Sequence, residues 1–219
     1  DRYVHFLHST SSALHHPEAS HREHMEPWPT GRYNHYLFDM NRDWAWQTQK
    51  ESQDRIKAYN SWLPHIHADF HEMGYNANYY FAPAAQPYHQ YLTDFQRQFQ
   101  LEIGKNHAHY FDKNGWLYWT REVFDLLYPS YGDTYPCFSG AVGMTYEMAG
   151  NSSSGRSISL DNGDTLTIQD KIDHNTVVGL STLEISSKNA EKIIQNFKQF
   201  YKESKDHPNG KYKTYVFKY

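Results

Sequence analysis

The sequence predicts an α/β fold, a mostly parallel mixed sheet with helices on both faces. Three observations lead there. Helix-like and strand-like stretches alternate along the chain instead of separating into blocks, the pattern of a layered α/β domain. The 219 residues are enough for one domain with a proper core. Aromatic residues make up 17% of the chain, nineteen of them Tyr, so an otherwise polar sequence has the apolar area to drive burial.

The opening, residues 1–31, is rich in His, Ser and Pro and lacks periodicity, which predicts a loop. HYLFDM (35–40) reads as a short strand. AWQTQKESQDRIKAYN (45–60) reads as an amphipathic helix with Trp46, Ile56 and Tyr59 on one face. After Pro64, IHADFH alternates, with Ile66, Ala68 and Phe70 on one side, and predicts a strand ending near His71. Residues 88–104 and 117–127 read as helices, and SGAVGMTYEMAG (139–150) as a strand of small and apolar residues. Asn162-Gly163 predicts a β-hairpin over 156–169. KNAEKIIQNFKQFYKES (188–204) reads as an amphipathic helix capped by Asn189. The tail, 206–219, reads as a linker or as the first strand of a following domain.

Composition narrows the function classes. A net charge of −4 gives no reason to expect nucleic acid or an anionic membrane as a partner. No run of eighteen apolar residues occurs, so no transmembrane helix is expected. The single cysteine, Cys137, rules out an intramolecular disulfide and reads as a small buried residue.

Three positions stand out chemically. Arg42 follows Asn41 at the end of an apolar run, and Arg32 precedes them. A lone arginine is ordinarily ion-paired, but two guanidiniums converging with an amide make a carboxylate receptor, because the guanidinium is planar, always charged and bidentate. His71 ends an apolar strand beside Asp69 and Glu72; neighbouring carboxylates of this kind orient metal-bound imidazoles. Glu147, in MTYEMAG, places a carboxyl where burial as a charge is costly; it reads either as an ion-paired or edge-exposed side chain or as a general base with a tuned pKa.

Taken together, these stretches carry a resemblance. RYNHYLFDMNRDW has the form Arg-x-Asn-(x)4-Asp-x-Asn-Arg, and DFHEMG, YPSYGDTYP and TYEMAG follow it in order. The arrangement resembles the zinc metallocarboxypeptidase family, with its carboxypeptidase A-like fold, and in particular a bacterial secreted or periplasmic branch. The resemblance covers roughly residues 1–205 and implies zinc-dependent hydrolysis of C-terminal residues from peptides that have a free terminal carboxylate. It implies His71 as one zinc ligand, Glu147 as the general base and Arg32 as the group that polarises the scissile carbonyl. Asn41 and Arg42 would grip the substrate carboxylate, and Tyr131, with Tyr135 second, would close over the substrate. It also implies that the chain is the later part of a catalytic domain. The His-x-x-Glu pair that supplies the family's first two zinc ligands would lie on an N-terminal segment outside this chain, which would be inactive alone. His15 and Glu18 match that spacing but sit too near Asn41-Arg42, in a Ser- and Pro-rich loop.

Other readings remain. The chain could capture peptide C-termini through Arg42 without cleaving them, or serve as a scaffold in a surface assembly. The 128–145 region, whose one charge is Asp133, leans toward neutral or apolar end residues, with basic ones next. Asn151-Ser152-Ser153 has the form of a glycosylation sequon.

Overall fold

The computed structural model describes residues 16, 21, 32–150, 157–207, 212, 214 and 216–218. The strands are β1 (Ile66–Met73), β2 (Tyr79–Tyr80), β3 (Ala85–Tyr88), β4 (Tyr118–Trp119), β5 (Asp125–Leu126), β6 (Val142–Ala149), β7 (Ser157–Ser159) and β8 (Thr165–Thr167). The helices are α1 (Lys50–Trp62), α2 (Asp94–Asn114), the single turn α3 (Tyr135–Phe138), α4 (Ile168–Lys188) and α5 (Ala190–Asp206). The central sheet has the order β1-β6-β2-β4. β1 is parallel to β6 and β2 to β4, whereas β2 runs antiparallel to β6. The protein is thus an α/β fold built on a mixed, mostly parallel sheet.

β6 is the strand on which the molecule is organised. All eight of its residues are buried, as expected of a central strand covered on both faces. Alternation sends Met144, Tyr146 and Met148 to one face, where they pack with Phe99, Ile103 and Phe111 of α2, Val178 of α4 and Ile193 of α5. The other face is covered by α1 and the segments around it, where Trp44, Tyr59 and His67 form edge-on aromatic contacts.

The helices have local causes. Thr93 and Gln96 form a reciprocal capping box at the start of α2, which ends at Gly115 in the left-handed conformation. The Gln96 side chain also donates to the carbonyls of Cys137 (2.8 Å) and Ala141 (2.7 Å), and Gln100 donates to that of Gly143 (2.7 Å). These buried amides tie α2 to the segment that leads into β6. Thr167 and Asp170 form a second capping box at the start of α4.

Several expectations need correction. HYLFDM is a turn: Asn34 Oδ1 accepts from the backbone N–H groups of Tyr36 and Phe38, Leu37 has a φ of 66°, and the apolar side chains are exposed. The 45–60 helix begins only at Lys50, and Trp46 lies exposed outside it while Ile56 is buried. The 88–104 helix is displaced to α2. Residues 117–127 hold β4 and β5 joined by a turn in which Arg121 and Val123 have positive φ, which no helix tolerates. The β6 strand, the β7–β8 hairpin and α5 lie close to where the sequence puts them. Asn189 precedes α5 but does not cap it; its side-chain N–H donates backward to the Ile185 carbonyl, 2.9 Å away. α4 was not anticipated. In the tail, 212, 214 and 216–218 are not in strand. His15, Glu18 and Asn151 lie outside the described residues, as does most of the opening loop.

Candidate functional site

Because β1 and β6 are parallel neighbours in register, Asp69 stands beside Thr145 and His71 beside Glu147. Two-residue alternation puts all four on the face opposite the main core. Above that face is a cavity of about 320 Å³ whose lining includes Arg32, Asn41, Arg42, His71, Tyr131 and Glu147. All six residues singled out in the sequence therefore meet in one place, brought there from five separate segments. Tyr135, the second choice for the closing tyrosine, does not line the cavity; its ring packs on Trp44 and Tyr59 beneath it.

A short 3-10 turn, Met40–Arg42, presents Asn41 and Arg42. Asp39 fixes that turn and also holds Arg32. One carboxylate oxygen accepts from the Asn41 backbone N–H (2.9 Å), and the other accepts from Arg32 Nε (2.9 Å). Asp43 anchors the following loop, accepting from Thr48 N and Oγ1 and from Gln49 N. Burial opposes its ionisation, but those hydrogen bonds hold its carboxyl below the ordinary value.

The Asn41 amide is oriented by its partners. Its Oδ1 accepts from Trp44 Nε1 and from the Gly132 backbone N–H, both at 2.9 Å. Its Nδ2 therefore faces Asp69 Oδ2 at 3.0 Å. His71 Nε2 lies 2.7 Å from the same oxygen. Burial works against a charge on Asp69, yet its bonds to His71 and Asn41 keep its carboxyl below the usual range. The hydrogen bond to Asp69 conversely raises the pKa of His71. The 2.9 Å contact between Asn41 Nδ2 and His71 Nε2 is thus two donors converging on one carboxylate oxygen. With Nε2 committed to Asp69, Nδ1 is the His71 nitrogen left for a ligand.

Glu147 is in the opposite situation. It is 7% exposed, and no side chain among the described residues hydrogen-bonds its carboxylate. Burial is the largest influence and raises its pKa; His71 and Arg32 draw it down, Asp69 and Asp133 push it up, and the balance is about 7. Asp133, beside it in the cavity wall, is also raised by burial, although Thr145 and Thr134 donate to it at 2.8 and 3.0 Å. Arg42, like Arg32, is an exposed cation of the site. It stacks over the Tyr131 ring with Cζ 4.3 Å from the centroid and donates one N–H to the Asn41 carbonyl. It forms no ion pair with a described residue.

Gly132, Trp44 and Thr145 belong to the site and were not singled out from sequence. A Cβ on Gly132 would lie 2.3 Å from Asp69 Oδ2 and 2.5 Å from Asn41 Oδ1, so only glycine lets that backbone reach the amide. Thr145 could have been found, because it lies two residues before Glu147 on the same strand face. Gly132 and Trp44 offered no local signal.

As a metal ligand, this constellation presents the His71 imidazole. No group of three His, Cys, Asp or Glu side chains suited to a metal occurs among the described residues. His71, held by Asp69 with Nδ1 directed elsewhere, has the form of a single oriented ligand. Compared with protein-family models, curated proteins and solved structures, the chain finds no match.

Proposed function

We propose that this chain carries the substrate-facing part of a zinc-dependent metallocarboxypeptidase site, which removes C-terminal residues from peptides. The observation that supports this reading is the meeting of Arg32, Asn41, Arg42, His71, Tyr131 and Glu147 around one cavity. His71 would hold zinc, with its other protein ligands supplied by residues outside those described. When bound, the metal lowers the pKa of water and polarises a carbonyl.

The chain's own residues divide the remaining work. Glu147, whose pKa lies near 7, can take a proton from water and give it to a leaving amine at neutral pH. Arg42 offers a permanent charge and paired donors to a terminal carboxylate, with the second amide hydrogen of Asn41 beside it. Arg32 keeps its Nη groups free of the Asp39 contact and can donate to the oxygen on which charge develops. Tyr131 covers the Arg42 guanidinium and can pack over a bound residue. A secreted or periplasmic setting follows from the same family resemblance.

The test is peptide trimming by the full-length parent protein, followed by mass spectrometry alongside zinc content. We expect residues to be lost one at a time from a free C-terminus, and Glu147→Gln to abolish this while leaving zinc bound. Full activity in Glu147→Gln would sink the reading. Saturable binding of free C-termini by the parent without trimming would support a capture module instead.

A further inference from the structure

A second cavity, of about 560 Å³, lies between β3, the first turns of α2 and the turn that joins β4 to β5. It shares no lining residue with the candidate site. Arg97, Arg121, Gln86, Gln98 and Tyr88 supply its polar wall, and no carboxylate of the described residues lines it. Two permanent positive charges with no carboxylate among the described lining residues make an unbalanced field in a partly enclosed space.

The arginines are built in from different directions. Arg97 is set into the wall: its Nε is buried without a hydrogen-bond partner among the described residues, and its Nη2 reaches the His89 carbonyl at 3.5 Å. Its Cζ lies 5.6 Å from the centre of the Tyr88 ring. Arg121 is delivered by a backbone with a φ of 62°, a conformation costly for any residue but glycine, and its N–H is locked onto the Pro83 carbonyl at 3.0 Å. Neither guanidinium is ion-paired with a described residue. Tyr88 lies within reach of both: burial raises its pKa, and Arg121 and Arg97 pull it back down. Its hydroxyl donates to the Ala84 carbonyl at 2.6 Å, which fixes the ring.

We propose that this cavity is a binding site for a small oxyanion, a phosphoryl or carboxylate group held between Arg97 and Arg121 with amide donors from Gln86 and Gln98. Guanidiniums suit such groups because their paired N–H donors match two oxygens at once, and Arg97, already set into the wall, loses little freedom on binding. The proposal does not depend on the peptidase reading.

The test is calorimetric titration of the metal-free 219-residue chain with inorganic phosphate and, separately, with citrate, at constant ionic strength. We expect saturable one-site binding of at least one of them. Arg121→Gln and Arg97→Gln should each weaken it by about tenfold or more, while Lys57→Gln, at an exposed position that lines neither cavity, leaves it unchanged. Arg121 is exposed, so its variant tests the site even if Arg97→Gln perturbs the wall. Phosphate alone would assign the site to phosphoryl groups, citrate alone to carboxylates, and both to oxyanions in general. No saturable binding of either would overturn the proposal. So would binding that Arg42→Gln removes and Arg121→Gln keeps, since the anion would then sit in the other cavity.

Discussion

Replacing Glu147 with Gln should make the fold more stable at alkaline pH. In the folded chain, burial and two neighbouring carboxylates hold the Glu147 carboxyl at about 7, against an ordinary 4.5. That difference favours its protonated form by about 3 kcal/mol. The unfolded chain releases the proton near 4.5 and the folded chain keeps it until about 7. Stability therefore falls as pH rises through that window and stays low above it. Gln has nearly the same shape and no charge, so the variant escapes this loss. The cavity admits water, which screens the charge, so we expect a gain of about 1–3 kcal/mol above pH 7 and almost none at about pH 4.5. Urea unfolding of the chain and the variant at about pH 4.5 and 8.5 gives both differences from the midpoints and slopes. An equal difference at the two pH values, or a loss at the higher one, would refute the argument. It would mean that the Glu147 anion is stabilised by partners in the folded state.

His107 and Gly132 give two further predictions. His107 is fully buried between Ser181 Oγ (2.7 Å) and the Tyr146 hydroxyl (3.0 Å), and burial pushes its pKa down from 6.5 to about 3. The unfolded chain takes a proton that the folded chain refuses, so wild type should lose about 2 kcal/mol between pH 6.5 and 5 that His107→Gln does not lose; parallel pH profiles in urea would contradict this. Gly132→Ala should cost about 2 kcal/mol or more, because its Cβ meets Asp69 and Asn41, while Gly74→Ala, with nothing within 4 Å, serves as a near-neutral control. Equal midpoints for the two alanine variants would remove Gly132 from the site.

What could be read in the sequence follows the range of the forces involved. β1 and β6 were legible because alternation and apolar content are local, and the β7–β8 hairpin because Asn-Gly fixes its turn. α4 was not, because Thr176, Val177, Val178 and Thr182 favour a strand in isolation. A capping box and the packing of Val178 and Ser181 against α2 make that segment helical. LYWTREVFDLL has helix-like spacing, but Tyr118 and Trp119 pair with β2 and the chain then turns through two left-handed residues, a tertiary outcome that no window of sequence contains. In the site, the residues tied to one chemical role carried a pattern of their own. The support did not: Gly132 and Trp44 matter only because they meet the Asn41 amide across 91 residues and three, respectively.

The opposite-sign predictions for Glu147 and His107 also say where the site is. The two groups act on consecutive residues of one strand. Tyr146 faces the core and hydrogen-bonds His107, while Glu147 faces the cavity without a hydrogen-bonding partner among the described residues. On the core face, the polar atoms around His107 are satisfied: His107 bonds Ser181 and Tyr146, and the Tyr146 hydroxyl also meets Thr182 at 2.8 Å. That is the arrangement of a buried network that specifies packing. On the cavity face, two acids, Glu147 and Asp133, are both raised by burial, and His71 and Arg32 draw Glu147 down without cancelling that rise. A face whose role was only structural would not keep two such carboxyls beside each other, since replacing either with a neutral isostere relieves the cost. The strain is therefore concentrated on the side of β6 where the six residues meet, and the core side carries the stability that tolerates it.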